Sequence, residues 1–168
     1  MAEATTAWAD AARPVLISTA EHYRGYITYN QLAGAVQESS GVRTRSQVRT
    51  WIGAVLQLVA DDCHRRGEPT LTALAVHSDE TVGPGYAYAY GLTGQPEPAD
   101  LDQQAAEDRL ACYRSFAKDL PEGGGRSALT PKLIAARRRF ARLNEKPAAT
   151  CPTCFTQLPS SGQCEYCA

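Results

Sequence analysis

Thr44-Arg-Ser-Gln-Val-Arg-Thr-Trp-Ile-Gly-Ala-Val-Leu-Gln-Leu-Val59 is the stretch on which the reading of the fold turns. Val48, Ile52, Val55 and Val59 recur at three and four residues, with Trp51, Leu56 and Leu58 widening the apolar stripe. That period predicts an amphipathic helix. Thr44 and Gln47 have the spacing of a capping box, so the helix is predicted to start there and to run to Arg66, where Gly67 and Pro69 stop it.

Upstream, Thr28-Tyr-Asn-Gln31 repeats the capping pattern and opens a shorter helix, 29–38, with Leu32 and Val36 inward. A further helix is expected over 6–24, with Pro14 kinking it or marking its first turn and Gly25 ending it. Downstream, Thr70-Leu-Thr-Ala-Leu-Ala-Val-His77 alternates like a strand, and Tyr86-Ala-Tyr-Ala-Tyr90 reads as a second strand with three tyrosines on one face. The turn-rich segment 79–85 between them predicts a hairpin. Helix, capped helix, longer capped helix and hairpin is the order of a winged helix-turn-helix domain, whose third helix enters the DNA major groove. The fold class expected is therefore α+β, a winged helix followed by a basic helix and a small four-cysteine zinc ribbon.

In that arrangement Arg43, Arg45, Ser46 and Arg49 fall at the N-terminal end of the recognition helix, where arginine can grip phosphate or guanine. The bland alternative is a solvated helix face. One feature counts against DNA: the expected wing carries Asp79 and Glu80 and no basic residue.

The stretch Ile27-Thr-Tyr-Asn-Gln-Leu-Ala33, with Arg49 and Ile52-Gly-Ala-Val-Leu56, resembles the winged-helix domain of O6-alkylguanine alkyltransferase-like proteins. Pro69-Thr-Leu-Thr-Ala-Leu-Ala-Val76 with Gly83-Pro-Gly85 also resembles winged-helix modules of bacterial restriction and defence proteins. Both resemblances cover about residues 26–90 and imply DNA binding. The first also invites an alkyl-transfer reading, because Asp62-Cys63-His64-Arg65 echoes a P-C-H-R motif. Asp62 stands where the family has proline, however, and Cys63 lies in register with Val55 and Val59. A buried, inert thiol is the reading preferred for Cys63 and for Cys112.

Beyond the linker 94–98, Asp100-Leu-Asp-Gln103 caps a predicted helix over 101–118. Residues 1–120 are read as the winged-helix domain with its flanking helices, and 121–129 as a linker whose Gly123-Gly-Gly125 predicts mobility. Residues 130–147 form a basic helix started by Thr130-Pro131 and stopped by Pro147. Leu133, Ala136, Phe140 and Leu143 make its narrow apolar stripe, and Lys132, Arg137, Arg138, Arg139, Arg142 and Lys146 cover the rest. Such a helix either lies along phosphates or pairs with the acidic block around 97–108.

Residues 148–168 hold Cys151-Pro-Thr-Cys154 and Cys164-Glu-Tyr-Cys167, two C-x-x-C pairs separated by nine residues that include Pro159 and Gly162. Two such turns bring four thiolates around one ion, the structural-zinc arrangement, and leave no open position for a catalytic water. Iron in a rubredoxin-like site or two disulfides are the alternatives.

The chain has 168 residues and a formal net charge of −1, but the charge is unevenly spread. Residues 97–122 carry three basic and seven acidic groups, and residues 123–150 carry seven and one. Such asymmetry is more informative than the total. With no signal peptide, membrane span, phosphate loop or histidine-carboxylate cluster in view, the expectation is a bacterial cytoplasmic protein that is not an enzyme. The partners expected are double-stranded DNA and, through the ribbon, another protein, with no membrane and no small-molecule substrate. A protein-interaction adaptor without nucleic acid is the alternative.

Overall fold

The computed structural model describes residues 2–83, 86–144, 150–158 and 163–167. Pro84 and Gly85 of the expected wing, Lys146 and Pro147 at the end of the basic helix, and Pro159 and Gly162 of the ribbon lie outside these residues, as does the side chain of Tyr90. The chain divides into two units, residues 1–133 and 134–168.

The first unit is mainly helical. Helix α1 spans Ala2–Ala20 with Pro14 inside it, so the proline does not mark the first turn. Strand β1 (Ile27–Thr28) leads directly into α2 (Tyr29–Ser40). The capping box forms as expected: the Thr28 hydroxyl accepts from Gln31 N–H at 3.3 Å, and Gln31 Oε1 accepts from Thr28 N–H at 2.9 Å. Gly41, in the left-handed region at φ 69°, closes α2. Helix α3 spans Ile52–Arg66 and is closed by Gly67, also left-handed at φ 64°.

The start of α3 corrects the sequence reading. Thr44 does not open a helix; its hydroxyl accepts from Ser46 N–H at 3.1 Å in a local turn. A 3₁₀ turn over Val48–Thr50 follows, and the α-helix begins only at Ile52. A threonine side chain that bonds its own loop two residues on offers the backbone an alternative to the helix, and here that alternative prevails.

The hairpin is not formed as predicted either. Residues 71–76 are all buried, which an alternating strand with one wet face could not achieve. Leu71–Leu74 instead wind into a 3₁₀ turn, and only Ala75–Val76 form a strand, β2. It pairs in parallel with β1, Ile27 opposite Ala75 and Thr28 opposite Val76. The Tyr-Ala-Tyr-Ala-Tyr run is helical, ending in α4 (Tyr88–Thr93). A strand would put Tyr86 and Tyr88 on one face; a helical path turns them roughly 200° apart. That divergence lets each find its own partner. Tyr86, buried, donates to Asp108 of the next helix, and the Tyr88 hydroxyl donates to Asp61 of α3 at 2.9 Å. Tertiary contacts override the β-propensity of the aromatic residues.

Helix α5 (Leu101–Phe116) starts at Asp100, whose carboxylate accepts from Gln103 N–H at 3.1 Å. The main core gathers Leu16, Leu32, Val36, Val55, Val59, Leu71, Leu74 and Cys112 from α1, α2, α3, the 3₁₀ turn and α5. Trp8 and Trp51 stack over it with ring centroids 4.3 Å apart. A smaller cluster of Ala73, Tyr86 and Ala105 sits beside it. The triple glycine uses a backbone freedom that other residues lack. Gly123, Gly124 and Gly125 all have positive φ, Arg114 Nε donates to the Gly124 carbonyl at 2.9 Å, and Arg126 N–H donates to the Tyr23 hydroxyl at 2.9 Å.

Helix α6 spans Pro131–Asn144, beginning in the first unit and running into the second. In the second unit Thr150 and Gln157 form an antiparallel bridge around the first C-x-x-C turn. No helix among the described residues is long and apolar enough to cross a membrane.

Candidate functional site

Two features carry chemistry, one in each unit. In the first unit, the segment between α2 and α3 is fastened at several points. Trp8 Nε1 donates to the Val42 carbonyl at 2.8 Å, and Thr44 N–H donates to Gln37 Oε1 at 2.8 Å. The Thr50 hydroxyl donates to the Gln47 carbonyl at 2.7 Å. From this pinned backbone Arg43, Arg45 and Arg49 are exposed to solvent, and among the described residues none of them makes an ion pair. Arg43, Arg45 and Ser46 lie on the loop and Arg49 on the 3₁₀ turn, so the segment presents them ahead of the helix rather than along it.

Several other cations of this unit are committed elsewhere. Arg13 donates to Asp62 at 3.1 Å and to Glu68 at 2.7 Å, and Arg65 and Arg66 close on Asp62 at 2.9 and 2.8 Å. Arg109 is buried and donates to the Ala73 carbonyl at 3.1 Å; burial holds its guanidinium below the usual range, against the pull of nearby Tyr113 and Tyr86. Lys132, read from sequence as a phosphate contact, donates to the Ser78 carbonyl at 2.9 Å and lies 3.7 Å from Glu80.

Of the two acidic residues of the 77–81 loop, Asp79 is exposed and Glu80 is buried. Asp79 accepts from the hydroxyl and N–H of Thr81, which lower its pKa, the hydroxyl most. Glu80 is buried, with the left-handed φ of 71°, and accepts from the Tyr26 hydroxyl at 2.9 Å and Lys132 N–H at 2.8 Å. Its own carbonyl accepts from the Thr130 hydroxyl at 3.0 Å. Burial alone would raise the Glu80 pKa, but the hydrogen bonds from the Lys132 backbone and Tyr26, with the Lys132 charge, outweigh it and hold the group ionised. Glu80 thus caps α6 from 52 residues away, where the sequence pointed to Thr130. Lys132 offsets the Glu80 charge, while exposed Asp79 keeps the negative charge expected of this loop. In the acidic block, Asp100, Asp102 and Asp108 are occupied too: Asp102 accepts from Val82 N–H at 2.9 Å, and Asp108 from Tyr86.

Cys63 and Cys112 are buried, 2% and 0% exposed, and burial raises both thiols, disfavouring the nucleophilic thiolate.

In the second unit the four remaining cysteines converge. The sulfurs of Cys151, Cys154, Cys164 and Cys167 all lie within 4.8 Å of one another, with Cys154 and Cys164 at 3.5 Å. Sulfurs about 2.3 Å from a tetrahedral ion would stand about 3.8 Å apart, so the group is sized for one metal ion. The first turn favours thiolates at Cys151 and Cys154, while hydrogen bonding with Cys154 pushes the Cys167 thiol up to about 11. Cys151 is drawn down first by the backbone N–H groups of Cys154 and Thr153. Cys154 is lowered to about 6, first by the Thr156 hydroxyl and then by its N–H. Cys151 N–H donates to the Thr156 carbonyl at 2.8 Å, and Phe155 N–H to the Cys151 carbonyl at 2.9 Å, closing the loop with Phe155 at φ 58°. Close by in sequence, the side chains of Arg138, Arg139 and Arg142 on α6 are exposed and make no ion pair among the described residues. Arg137 is exposed as well.

No family model, curated protein or solved structure matches this chain. The functional reading therefore rests on the two sites themselves.

Sequence reasoning missed one grouping in the first unit. His77, placed by the sequence at the end of an expected strand, stands edge-on to Tyr29 at 4.6 Å, and Gly83 N–H donates to the Tyr29 hydroxyl at 3.0 Å. The available signal is the glycine-rich loop after His77, which the sequence pattern assigns to a wing.

Proposed function

We propose that the chain is a DNA-binding protein, a regulator or the recognition subunit of a larger assembly, with one structural zinc in its four-cysteine module. The carrying observation is the set of exposed, ion-pair-free arginines Arg43, Arg45 and Arg49 on a pinned segment. Guanidinium groups held on a fixed backbone lose less freedom when they close on phosphate than groups on a free tether. The element order helix, strand, helix, helix, strand supports reading the first unit as a variant winged helix in which the hairpin is replaced by a parallel pair and a short helix. Arg138, Arg139 and Arg142 of α6 would add salt-dependent, sequence-independent affinity. Zinc is the ion of choice for four thiolates at this spacing, and as a closed site it would serve folding, not catalysis.

A fluorescence-anisotropy titration with duplex DNA tests the reading. Affinity should fall steeply as salt rises, and Arg45→Ala with Arg49→Ala should weaken binding by about tenfold or more and flatten the salt dependence by about two ions. A duplex that does not bind at low salt, or binding indifferent to those changes, would overturn it. A second reading, a protein-interaction adaptor, is favoured by Phe155 and Tyr166, each 80% exposed beside a cysteine of the metal group. It predicts partner capture that Phe155→Ala abolishes while DNA binding stays absent.

A further inference from the structure

A cleft of about 350 Å³ opens between the start of α2, the turn into α3, and the loop after β2. Its floor is apolar, from Val48, Ile52 and Leu56, and its rim is polar, from Asn30, Arg49 and His77. The volume falls within the range of small-ligand pockets, near its lower end.

The wall is built around an absent side chain. A Cβ on Gly83 would lie 2.5 Å from the Tyr29 hydroxyl and 2.9 Å from His77 Nε2, so only glycine lets the loop close on these rings. Tyr29 and His77 meet edge-to-face, which leaves ring surfaces set at 68° to each other. At the rim stands Arg49, exposed and without an ion pair among the described residues.

A larger cleft of about 710 Å³ between α1 and α3 offers a contrast. Its lining includes Arg13, Asp62, Arg65 and Arg66, whose charges already satisfy one another. The lining groups without an ion pair among the described residues include the carboxylates Asp10 and Asp61, so this cleft offers an anion no unmatched cation. The smaller cleft has an apolar floor, aromatic walls and one uncompensated cation.

We propose that this smaller cleft binds a small planar anion, a single flat ring carrying one phosphate or one carboxylate. The ring would rest on Val48, Ile52 and Leu56 against Tyr29 and His77, and the anionic group would take the Arg49 guanidinium in a charge-assisted hydrogen bond. Asn30 and Thr28 supply polar atoms for substituents on the ring. Building on the DNA reading, occupancy withdraws Arg49 from phosphate, so the ligand and the duplex compete. The site is then a small-molecule control on DNA release, built into the turn that carries the arginine.

Calorimetric titration of the full chain, its metal retained and no DNA present, tests the site. One arm uses an aromatic phosphate, phenyl phosphate, and the other an aromatic carboxylate, benzoate. Phenol and benzamide serve as uncharged counterparts. Saturable binding of one ligand per chain is expected in one arm, which then names phosphate or carboxylate as the anionic group. Arg49→Glu, at an exposed position, should keep the melting temperature and weaken that binding by about tenfold or more, while leaving the uncharged counterpart unchanged. Absence of saturable binding in both arms at millimolar ligand would overturn the proposal, as would binding that Arg49→Glu leaves intact. Since no DNA is present, ligand binding without any DNA affinity would retain the site and remove only the competition.

Discussion

The two units hold their cysteines in opposite ways. In the first, Cys63 and Cys112 are packed among Val59, Leu71 and Leu74 as small apolar side chains, their thiols kept protonated by burial. In the second, four cysteines face one another across a few ångströms while Phe140, Leu143, Phe155 and Tyr166 remain between 69% and 80% exposed. Among the described residues of that unit, only Cys151 is a buried apolar side chain. One unit is organised by removing apolar surface from water. The other has too little to remove, and its order must come from the bond its sulfurs make.

The largest test of this contrast is to take the metal away. One ion per chain is expected in reduced protein, and such sites contribute roughly 10–16 kcal/mol of apparent binding energy. Chelation, or Cys154→Ser, should therefore unfold the residues around the cysteines and leave the first unit intact. Both tryptophans of the chain, Trp8 and Trp51, lie in the first unit, so their fluorescence reports on it alone. Amide signals of 150–167 should collapse to unfolded positions on chelation while the tryptophan emission stays put. Dispersed tail signals in metal-free protein would break the comparison.

The converse perturbation is smaller. Leu16 is fully buried in α1, and Leu16→Ala should cost about 3 kcal/mol through lost burial and the cavity left behind. Urea unfolding followed by tryptophan emission would show the lowered midpoint, with metal content unchanged. If metal affinity fell in step, the two units would not be stabilised separately.

How much of this was legible in the sequence follows from what kind of information each feature needs. Capping boxes and glycine stops are local, so Thr28 with Gln31, Asp100 and Gly67 were readable from spacing alone. The metal group was readable for the same reason, since a C-x-x-C turn fixes its own geometry. Thr44 failed because a threonine has two local options and the text of the chain does not say which is taken. The tyrosine run failed because Asp61 and Asp108, which draw Tyr88 and Tyr86 apart, come from helices distant in sequence. The Tyr29, His77 and Gly83 grouping depends on the parallel pairing of β1 with β2, which no periodicity announces.

Glu80 is the smallest and most discriminating case, because its role is entirely non-local. Its carboxylate holds the first turn of α6 through Lys132 N–H and takes a hydrogen bond from Tyr26. The folded pKa is held below the ordinary glutamate value, so its contribution is fully present above that value, about 4.3. It is lost as the pH falls through the lower folded value, where the folded state must take up the proton it had excluded. Glu80→Gln keeps an acceptor for Lys132 N–H but removes the charge at the helix start, and should cost about 1 kcal/mol at neutral pH. Urea midpoints of the two proteins should therefore converge as the pH falls below the ordinary glutamate value and through the lower folded one, because protonated glutamate and glutamine are then nearly equivalent. A gap that does not narrow as the pH falls would mean that Glu80 acts through shape. A gap that closes would mean that the charge holds the start of α6, the helix that carries the chain from the apolar unit into the thiolate one.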